Sequence, residues 1–439
     1  MQSAPANEPQ DDLVLGRRRW RIAWLLGLGV LVNYFDRVNL SVSQDALYRH
    51  FGISDITFGY LSGAYNWTYA LCQLPVGVML DRFGVRRIGR ISTLLWSVAS
   101  FVAALAPGVG TLFGARLLLG IGEAPTFPLN GKAIGLWFPQ SERSLSTSMF
   151  DAAAKLAPAI GVPILGLIFL RAGWRWSFAC TGFISLGYAV LFGLVYRDPG
   201  EDAHLSARER TYIDEGQFAL TERRNLGERA SLGALLRQRK IIGLAIGFGS
   251  YNYTFYLLLV WLPRYLSSSL HIDLLHSFLY TGVPWLVATA TDVGFGGILP
   301  DWLIARGANA NRVRRTILIL GTACGLGLLG AAEAHTAVRA LLWISLSIGG
   351  LAAAAPMGWS IITLISPRGS VGAVGGIINF ASQLSGIAAA ILTGYFVQAK
   401  HNFALAFAVA GVYLVVGVLA YAFLLGDIRR VETGSLSTT

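Results

Sequence analysis

The chain has 439 residues, 54% of them hydrophobic and only 13% charged, with a mean hydropathy of +0.55. Soluble domains are about a quarter charged, so this composition excludes a disordered chain, a nucleic-acid module and an ordinary cytosolic enzyme. What remains is a membrane protein of many spans, and the placement of its 35 Lys and Arg against 24 Asp and Glu decides what the net charge of +11 means.

A crossing helix needs about 20 apolar residues. Apolar runs bounded by charge, Pro or Gly lie at 20–43, 56–80, 88–107, 111–138, 143–170, 176–196, 241–263, 277–300, 314–333, 337–366, 370–397 and 403–425. None alternates like a barrel strand, so they predict an all-α integral membrane protein with 12 transmembrane helices. The first run exceeds the apolar core of a signal peptide and no small-residue cleavage site follows it, so it reads as a retained helix. Cys72, Cys180 and Cys324 all lie in apolar stretches and predict no disulfide framework.

An even number of spans puts both termini on one side, and charge chooses the side. Of the 35 Lys and Arg, 25 fall in the tails and the loops that share their side, among them Arg17, Arg18 and Arg19 and nine between Arg197 and Lys240. Six fall on the other: Arg49, Arg171, Arg175, Arg264, Arg339 and Lys400. Cytoplasmic loops carry the excess of Lys and Arg, so both termini are expected in the cytoplasm. The basic balance then requires no nucleic-acid partner.

The one long polar stretch divides the chain. It predicts a cytoplasmic tail at 1–19, a six-helix bundle at 20–196, a linker at 197–240, a second six-helix bundle at 241–425 and a cytoplasmic tail at 426–439. Within the linker, Ser206–Ala–Arg–Glu209 has the capping-box spacing that starts a short surface helix. A repeat supports the division, since Gly77–Val–Met–Leu–Asp81–Arg82 after the second run returns 220 residues later as Gly297–Ile–Leu–Pro–Asp301. Two repeated halves with a site between them at mid-membrane are an architecture of secondary transporters.

Gly77–Val–Met–Leu–Asp81–Arg82–Phe–Gly84–Val–Arg86–Arg87 resembles the loop signature of the major facilitator superfamily. Asn33–Tyr34–Phe35–Asp36–Arg37, Gly122–Glu123–Ala124–Pro125, Trp137–Phe138–Pro139 and Asn379–Phe380 resemble its anion:cation symporter family, especially the bacterial sugar-acid branch. The resemblance covers nearly the whole chain. It implies an inner-membrane carrier, working as a monomer, for aldonates, aldarates or uronates with protons; other members take aromatic acids or tartrate.

Ionisable groups inside spans are costly, so each is a functional candidate. They are Asp36, Arg37, Arg116, Glu123, Lys132, Asp151, Lys155 and Asp292, four acids and four bases. Arg37 offers a planar fork for a carboxylate, and the resemblance implies that it binds the substrate; the alternative is a permanent ion pair. Asp36 lies about 100° further round the helix and cannot point at the same spot. Its burial suits a proton carrier, and the resemblance favours that over a static partner for an Arg. Arg116 and Glu123 lie two turns apart on roughly one face, and the resemblance assigns the Glu to proton and substrate coupling, with Glu123 exchanging between a proton, Arg116 and Arg37. Asp151 and Lys155 form an i, i+4 pair that departs from the sugar-acid pattern. Either the pair neutralises itself, or Lys155 meets a second group on the substrate. Lys132 is expected to snorkel to the interface. Asp292 has no partner evident from sequence.

The resemblance makes Gly77, Asp81, Arg82, Arg86 and Arg87 a gate, with Asp81 opposite the arginines and the second helix tied to the fourth and eleventh. Asp301 and Arg306 are expected to form a weaker counterpart. Tyr34 and Tyr69 resemble aromatic positions of the sugar-acid pocket, where a ring covers a polyol's CH face and a hydroxyl meets its oxygens. Asn379 and Gln383, one turn apart in an apolar run, suit a hydroxyl-rich ligand or tie helices together. Tyr251, Asn252 and Tyr253 are further wall candidates. Phe248 stands where galactonate carriers have a Gln, which weakens a galactonate assignment.

No cofactor is expected. No histidine falls inside a predicted span, and no GxxxxGK[ST] loop exists to bind ATP. The leading expectation is a proton-coupled symporter importing an organic acid anion, in contact with the lipid bilayer and no nucleic acid. The alternatives are an exchanger or uniporter for aromatic or small dicarboxylic acids and a non-transporting membrane sensor; an enzyme is disfavoured because its acids and bases are scattered singly.

Overall fold

The computed structural model describes residues 16–139, 142–224, 231–367 and 370–431. Among them every regular element is helical. The first group is α1 (Arg18–Val42), α2 (Gln44–Phe51), α3 (Asp55–Ala104), α4 (Val109–Glu123), α5 (Thr126–Trp137), α6 (Arg143–Ala172) and α7 (Trp174–Val195). Two shorter helices follow, the polar α8 (Ala207–Arg224) and the apolar single turn α9 (Leu232–Leu236). The second group is α10 (Arg239–Ser269), α11 (Leu274–Val293), α12 (Leu299–Ala305), α13 (Ala310–Cys324), α14 (Gly327–Ala332), α15 (Ala337–Ile365), α16 (Val371–Lys400) and α17 (Ala404–Leu419). A π-helical turn at Gly294–Ile298 joins α11 to α12, and another at Ala420–Leu425 extends α17.

Among the described residues, eight helical stretches are long and apolar enough by themselves to cross a membrane: 145–172, 174–195, 239–269, 274–305, 310–332, 337–365, 371–400 and 404–425. The other four expected spans fall on α1, the two limbs of α3, and α4 with α5. Each has a physical interruption. Asn33, Asp36, Arg37 and Asn39 lower the hydropathy of α1. Two expected spans run together in α3 and part at Gly84, whose φ of 77° is a backbone conformation that glycine alone adopts freely. The single helix expected at 111–138 is instead two, broken after Glu123 because Pro125 has no N–H to give. Side chains of α3 compensate there. Ser92 donates to the carbonyl of Gly122 at 2.5 Å and Gln73 to that of Ala124 at 3.3 Å. The span expected at 314–333 is likewise two helices, meeting at Gly325.

Small residues set how closely these helices pack. A Cβ on Gly120 would lie 2.2 Å from the Tyr65 carbonyl, so α4 and α3 cross with backbones touching. The same device joins the two groups of helices. Cβ atoms on Gly59 and Gly394 would meet main-chain oxygens of Ala390 and Asp55 at 2.7 and 2.5 Å, where α3 and α16 cross. One on Gly282 of α11 would meet the Ala159 carbonyl of α6 at 2.6 Å.

These close crossings share one end of the bundle, opposite the linker. At this far end Ser41 donates to the Leu259 carbonyl at 3.2 Å, Phe58 packs edge-on against Trp261, and Arg264 pairs with Asp45. Towards the linker end of α3 and α16, a Cβ on Gly77, Gly372 or Gly376 would meet nothing within 4 Å.

The linker is clamped to the first group. Ser206 caps α8 by accepting from the Glu209 N–H at 3.2 Å. The Glu209 carboxylate accepts from the backbone N–H of Arg18 and of Arg19, both at 3.1 Å, and so satisfies donors that the start of α1 would leave open. Arg19 then bridges Glu209 at 2.9 Å and Glu142 at 2.7 Å, and Arg18 reaches Asp202 at 2.9 Å. The hydrogen bond from Arg19 holds the Glu142 carboxyl below the usual carboxylate range, against a smaller opposing effect of burial.

Candidate substrate and proton site

At the middle of α1, consecutive residues point apart as the 100° step requires. Asp36 turns towards α3 and α7, where its Oδ1 accepts from Ser100 at 2.6 Å and its Oδ2 from Ser185 at 2.8 Å. Arg37 turns the other way, towards α4 and α10. Its Nε donates to Glu123 Oε2 at 2.9 Å and its Nη1 to the Tyr256 hydroxyl at 3.3 Å. The guanidinium lies over the rings of Tyr34, Tyr65 and Tyr69 at 4.3, 4.7 and 5.4 Å. Three tyrosine faces offer a cation electrostatic attraction without neutralising it.

Arg37 Nη2 and Glu123 Oε1 are both buried and have no hydrogen-bond partner. A donor of the fork and an acceptor of the acid that holds it are therefore unsatisfied side by side. Arg116 does not hydrogen-bond Glu123. It donates to the main-chain oxygen of Asp36 at 3.2 Å and lies over Tyr65 at 5.6 Å, so it sits beside both acids.

A second charged group lies across the two sets of helices. Lys155 Nζ is 2.5 Å from Asp151 Oδ2 one turn back on α6, and 3.4 Å from Asp292 Oδ2 on α11. Asp292, which had no partner evident from sequence, is thus held by Lys155. Nothing in a single sequence gives the α6–α11 crossing that brings them together. Tyr251 of α10 faces this group and contacts the ring of Phe255, which in turn meets Tyr34 edge-on.

The remaining expected residues are distributed as follows. Gln383 is buried with Oε1 unpartnered, while Asn379 is half-buried; neither hydrogen-bonds Arg37. Asn252 donates to the Ser382 carbonyl at 2.5 Å and ties α10 to α16, and Tyr253 packs on Tyr413. Phe248 fills the space left by Gly358 and packs on Trp359, a solid apolar contact between α10 and α15.

The loop signature is tied to the fourth expected span and to the linker. Asp81, itself largely exposed, meets Lys132 of α5 at 2.7 Å. Arg86 pairs with Glu201 of the linker at 2.9 Å, Arg82 lies over Phe83, and Arg87 is exposed. Asp301 and Arg306 are not paired; Arg306 stacks on Trp302 at 3.9 Å instead. Sequence reasoning missed Tyr65, Ser100, Ser185 and Tyr256. Tyr256 was within reach, since it shares a helix face with Asn252 one turn away; the serines have no signal beyond their type.

The model of the Major Facilitator Superfamily matches residues 26–390. The chain belongs to this superfamily. It is 38% identical over 418 residues to an uncharacterised transporter, YybO, of Bacillus subtilis (strain 168), covering 95% of this chain and 96% of that one. It is 31% identical over 422 residues to the D-galactonate transporter of Escherichia coli O6:H1, covering 95% and 97%. The inward open structure of the xylose transporter XylE from E. coli superposes with a TM-score of 0.73 at 16% identity, covering 95% and 98%, which shows the fold. The chain is therefore an integral inner-membrane transporter, not an enzyme.

Proposed function

We propose that the protein imports an organic acid anion, a sugar acid first among them, together with protons, by alternating access of two six-helix halves. In this reading twelve spans place both termini in the cytoplasm, supported by the excess of Lys and Arg at the linker end. The closed far end then faces outwards, and the conformation is inward-facing.

One observation carries the reading: Arg37 presents a buried, unpartnered Nη2 beside the unpartnered Oε1 of Glu123, roofed by three tyrosine rings. A carboxylate arriving at the fork competes with Glu123 for Arg37. Two anions cannot share one buried guanidinium cheaply, so Glu123 must take a proton or turn to Arg116. Binding of the anion and uptake of the proton become one event. Asp36, held by two serine hydroxyls next to Arg116, is the second carboxyl through which a proton passes. Tyr34, Tyr69, Asn379 and Gln383 supply rings and amides to the hydroxylated carbon chain, and Lys155 meets a further group at its other end. Asp81, Arg82, Arg86, Arg87 and Asp301 belong to the inner gate around Gly77.

The test uses purified protein in liposomes containing a pH-sensitive dye, with aldonates, aldarates, uronates, tartrate and aromatic acids offered singly. Internal acidification with one sugar-acid class supports the reading. Labelled uptake without acidification overturns the proton coupling, and no uptake of any of these acids overturns the substrate assignment. Phe248 and Lys155 favour a second reading, exchange or uniport of an aromatic or small dicarboxylic acid, and uptake without acidification selects it.

A further inference from the structure

Seven ionisable side chains make up the two charged groups: the buried cations Arg37, Arg116 and Lys155, the buried acids Asp36, Glu123 and Asp292, and Asp151, whose side chain is 18% exposed. Fully ionised, they carry one negative charge too many before any substrate arrives. The surplus is at Lys155. A single ammonium is shared there by two carboxylates, and the more distant, Asp292, has its Oδ1 buried without any partner. Asp292 is only 4% exposed, so water does not supply the missing bond.

The groups facing Asp292 are few. From α6 come Lys155 and Asp151, and from α10 comes Tyr251. The other helix packed on α11 is α15, whose one charged residue, Arg339, lies at its far end. Of these, Asp292 is the group that can lose its charge at least cost. Asp151 keeps the closer contact to Lys155 and is more exposed, whereas Asp292 holds the longer one and gains a use for its idle oxygen on protonation.

Neutral Asp292 leaves Lys155 balanced by Asp151 alone, with donors of the ammonium free to turn. The direction they can turn is set by α10. Tyr251 faces Lys155, and Tyr256 holds Arg37 five residues further along, about 7.5 Å of helix rise. The rings of Phe255 and Tyr34 line the interval. Both cations thus face α10 on neighbouring turns, so a chain with a carboxylate at each end is the ligand chemistry that can engage both, one end on the Arg37 fork and the other on Lys155.

We propose that Asp292 is a second proton-binding carboxyl whose protonation turns Lys155 into an anion subsite, so that the carrier takes dianionic acids with one proton more than monoanionic ones. The inference rests on the proton-coupled reading of Arg37 and Glu123 and adds a substrate class and a proton count to it. The net charge of the set is unchanged at each step. A monoanion at Arg37 is matched by the proton on Glu123, and a second carboxylate at Lys155 by the proton on Asp292.

The test measures protons taken up on binding by detergent-purified full-length protein in weakly buffered solution with a pH dye. The probes are galactonate and galactarate, which differs in carrying a second carboxylate. The wild type is expected to take up one proton more per galactarate than per galactonate. The ratio of the two dissociation constants is expected to change by up to tenfold per pH unit across the titration of Asp292. In Asp292→Asn the extra proton and the pH dependence of the ratio both disappear. Lys155→Gln removes the cation that keeps Asp292 ionised, so its extra proton disappears too, which gives a second reading if the first variant does not fold. Equal proton counts for the two acids in the wild type, or an extra proton that survives either substitution, overturn the inference while leaving the Arg37 site standing. Binding of neither acid overturns the proposed function and the inference with it.

Discussion

Arg37 and Asp36 are neighbours in sequence with opposite surroundings, and the difference is the chemistry of the site. Asp36 is satisfied by neutral hydroxyls, which stabilise either of its protonation states and leave it able to change charge. Arg37 is held by one charged bond to Glu123 and one neutral bond to Tyr256, and keeps one donor in reserve. Lysine at position 37 retains the charge and loses the fork. Losing one charge-assisted hydrogen bond costs about 1.5–3 kcal/mol, so Arg37→Lys is expected to weaken acid binding by roughly 10- to 150-fold in an equilibrium binding assay. Affinity within threefold of wild type removes Arg37 from the site. Glu123→Gln tests the other side of the same bond. It can no longer take a proton or compete for Arg37, so substrate exchange across the membrane should persist while accumulation driven by a pH gradient is lost. Accumulation retained in proteoliposomes contradicts a coupling role for Glu123.

At the scale of elements, the clamp between α1 and the linker gathers Arg18, Arg19, Glu142, Asp202 and Glu209. Glu142 is folded with its carboxyl held below the ordinary range by Arg19. A depressed folded value means the stabilisation is present above the unfolded value, near pH 4.3, and is lost as pH falls through the folded one. Glu142→Gln removes that dependence. In detergent, the difference in melting temperature between wild type and variant should therefore narrow on going from pH 7 to below pH 4, and an unchanged difference denies the Arg19–Glu142 contact any role in stability. A second element-level test concerns the α3–α16 crossing. Val at position 394 would drive its Cβ into the Asp55 carbonyl, so Gly394→Val should prise the far end open and reduce transport without unfolding the protein. What sequence could and could not tell follows the same division. Asp36, Arg37, Glu123 and the i, i+4 pair Asp151 and Lys155 stood out because charge inside an apolar run is costly wherever it occurs. Tyr65, Tyr256 and the serines around Asp36 are ordinary residues whose meaning comes only from what lies opposite. The partners of Asp81 and Asp292 depended on which helices cross, which is not written in periodicity, whereas the break after Glu123 follows from Pro125 and only the α3 side chains that satisfy its carbonyls needed the fold.

At the scale of the whole molecule, the far end of the two groups of helices is joined, among the described residues, by glycine crossings and by Arg264. Arg264 of α10 donates to Asp45 of α2 at 2.5 Å, approaches Asp55 at 3.9 Å and lies over the Tyr48 ring at 4.6 Å. About a quarter of its side chain is exposed, so the ion pair contributes at most about 1 kcal/mol and the ring contact about 0.5–1 kcal/mol more. Those are small amounts against the stability of a membrane bundle. They are large against an equilibrium between two open states separated by a few kcal/mol, where each 1.4 kcal/mol changes the ratio tenfold. Arg264→Gln should leave the fold intact and raise the population open at the far end by roughly 2- to 20-fold. A reporter is available at Ser41, which is buried beside Leu259 between α1 and α10. In a background with Cys72, Cys180 and Cys324 replaced, Ser41→Cys should react slowly with a membrane-impermeant maleimide added from outside the cell, and several-fold faster once Arg264→Gln is added. If the rate does not move, the glycine crossings alone hold the far end shut, and Gly394→Val should then accelerate the labelling where Arg264→Gln did not.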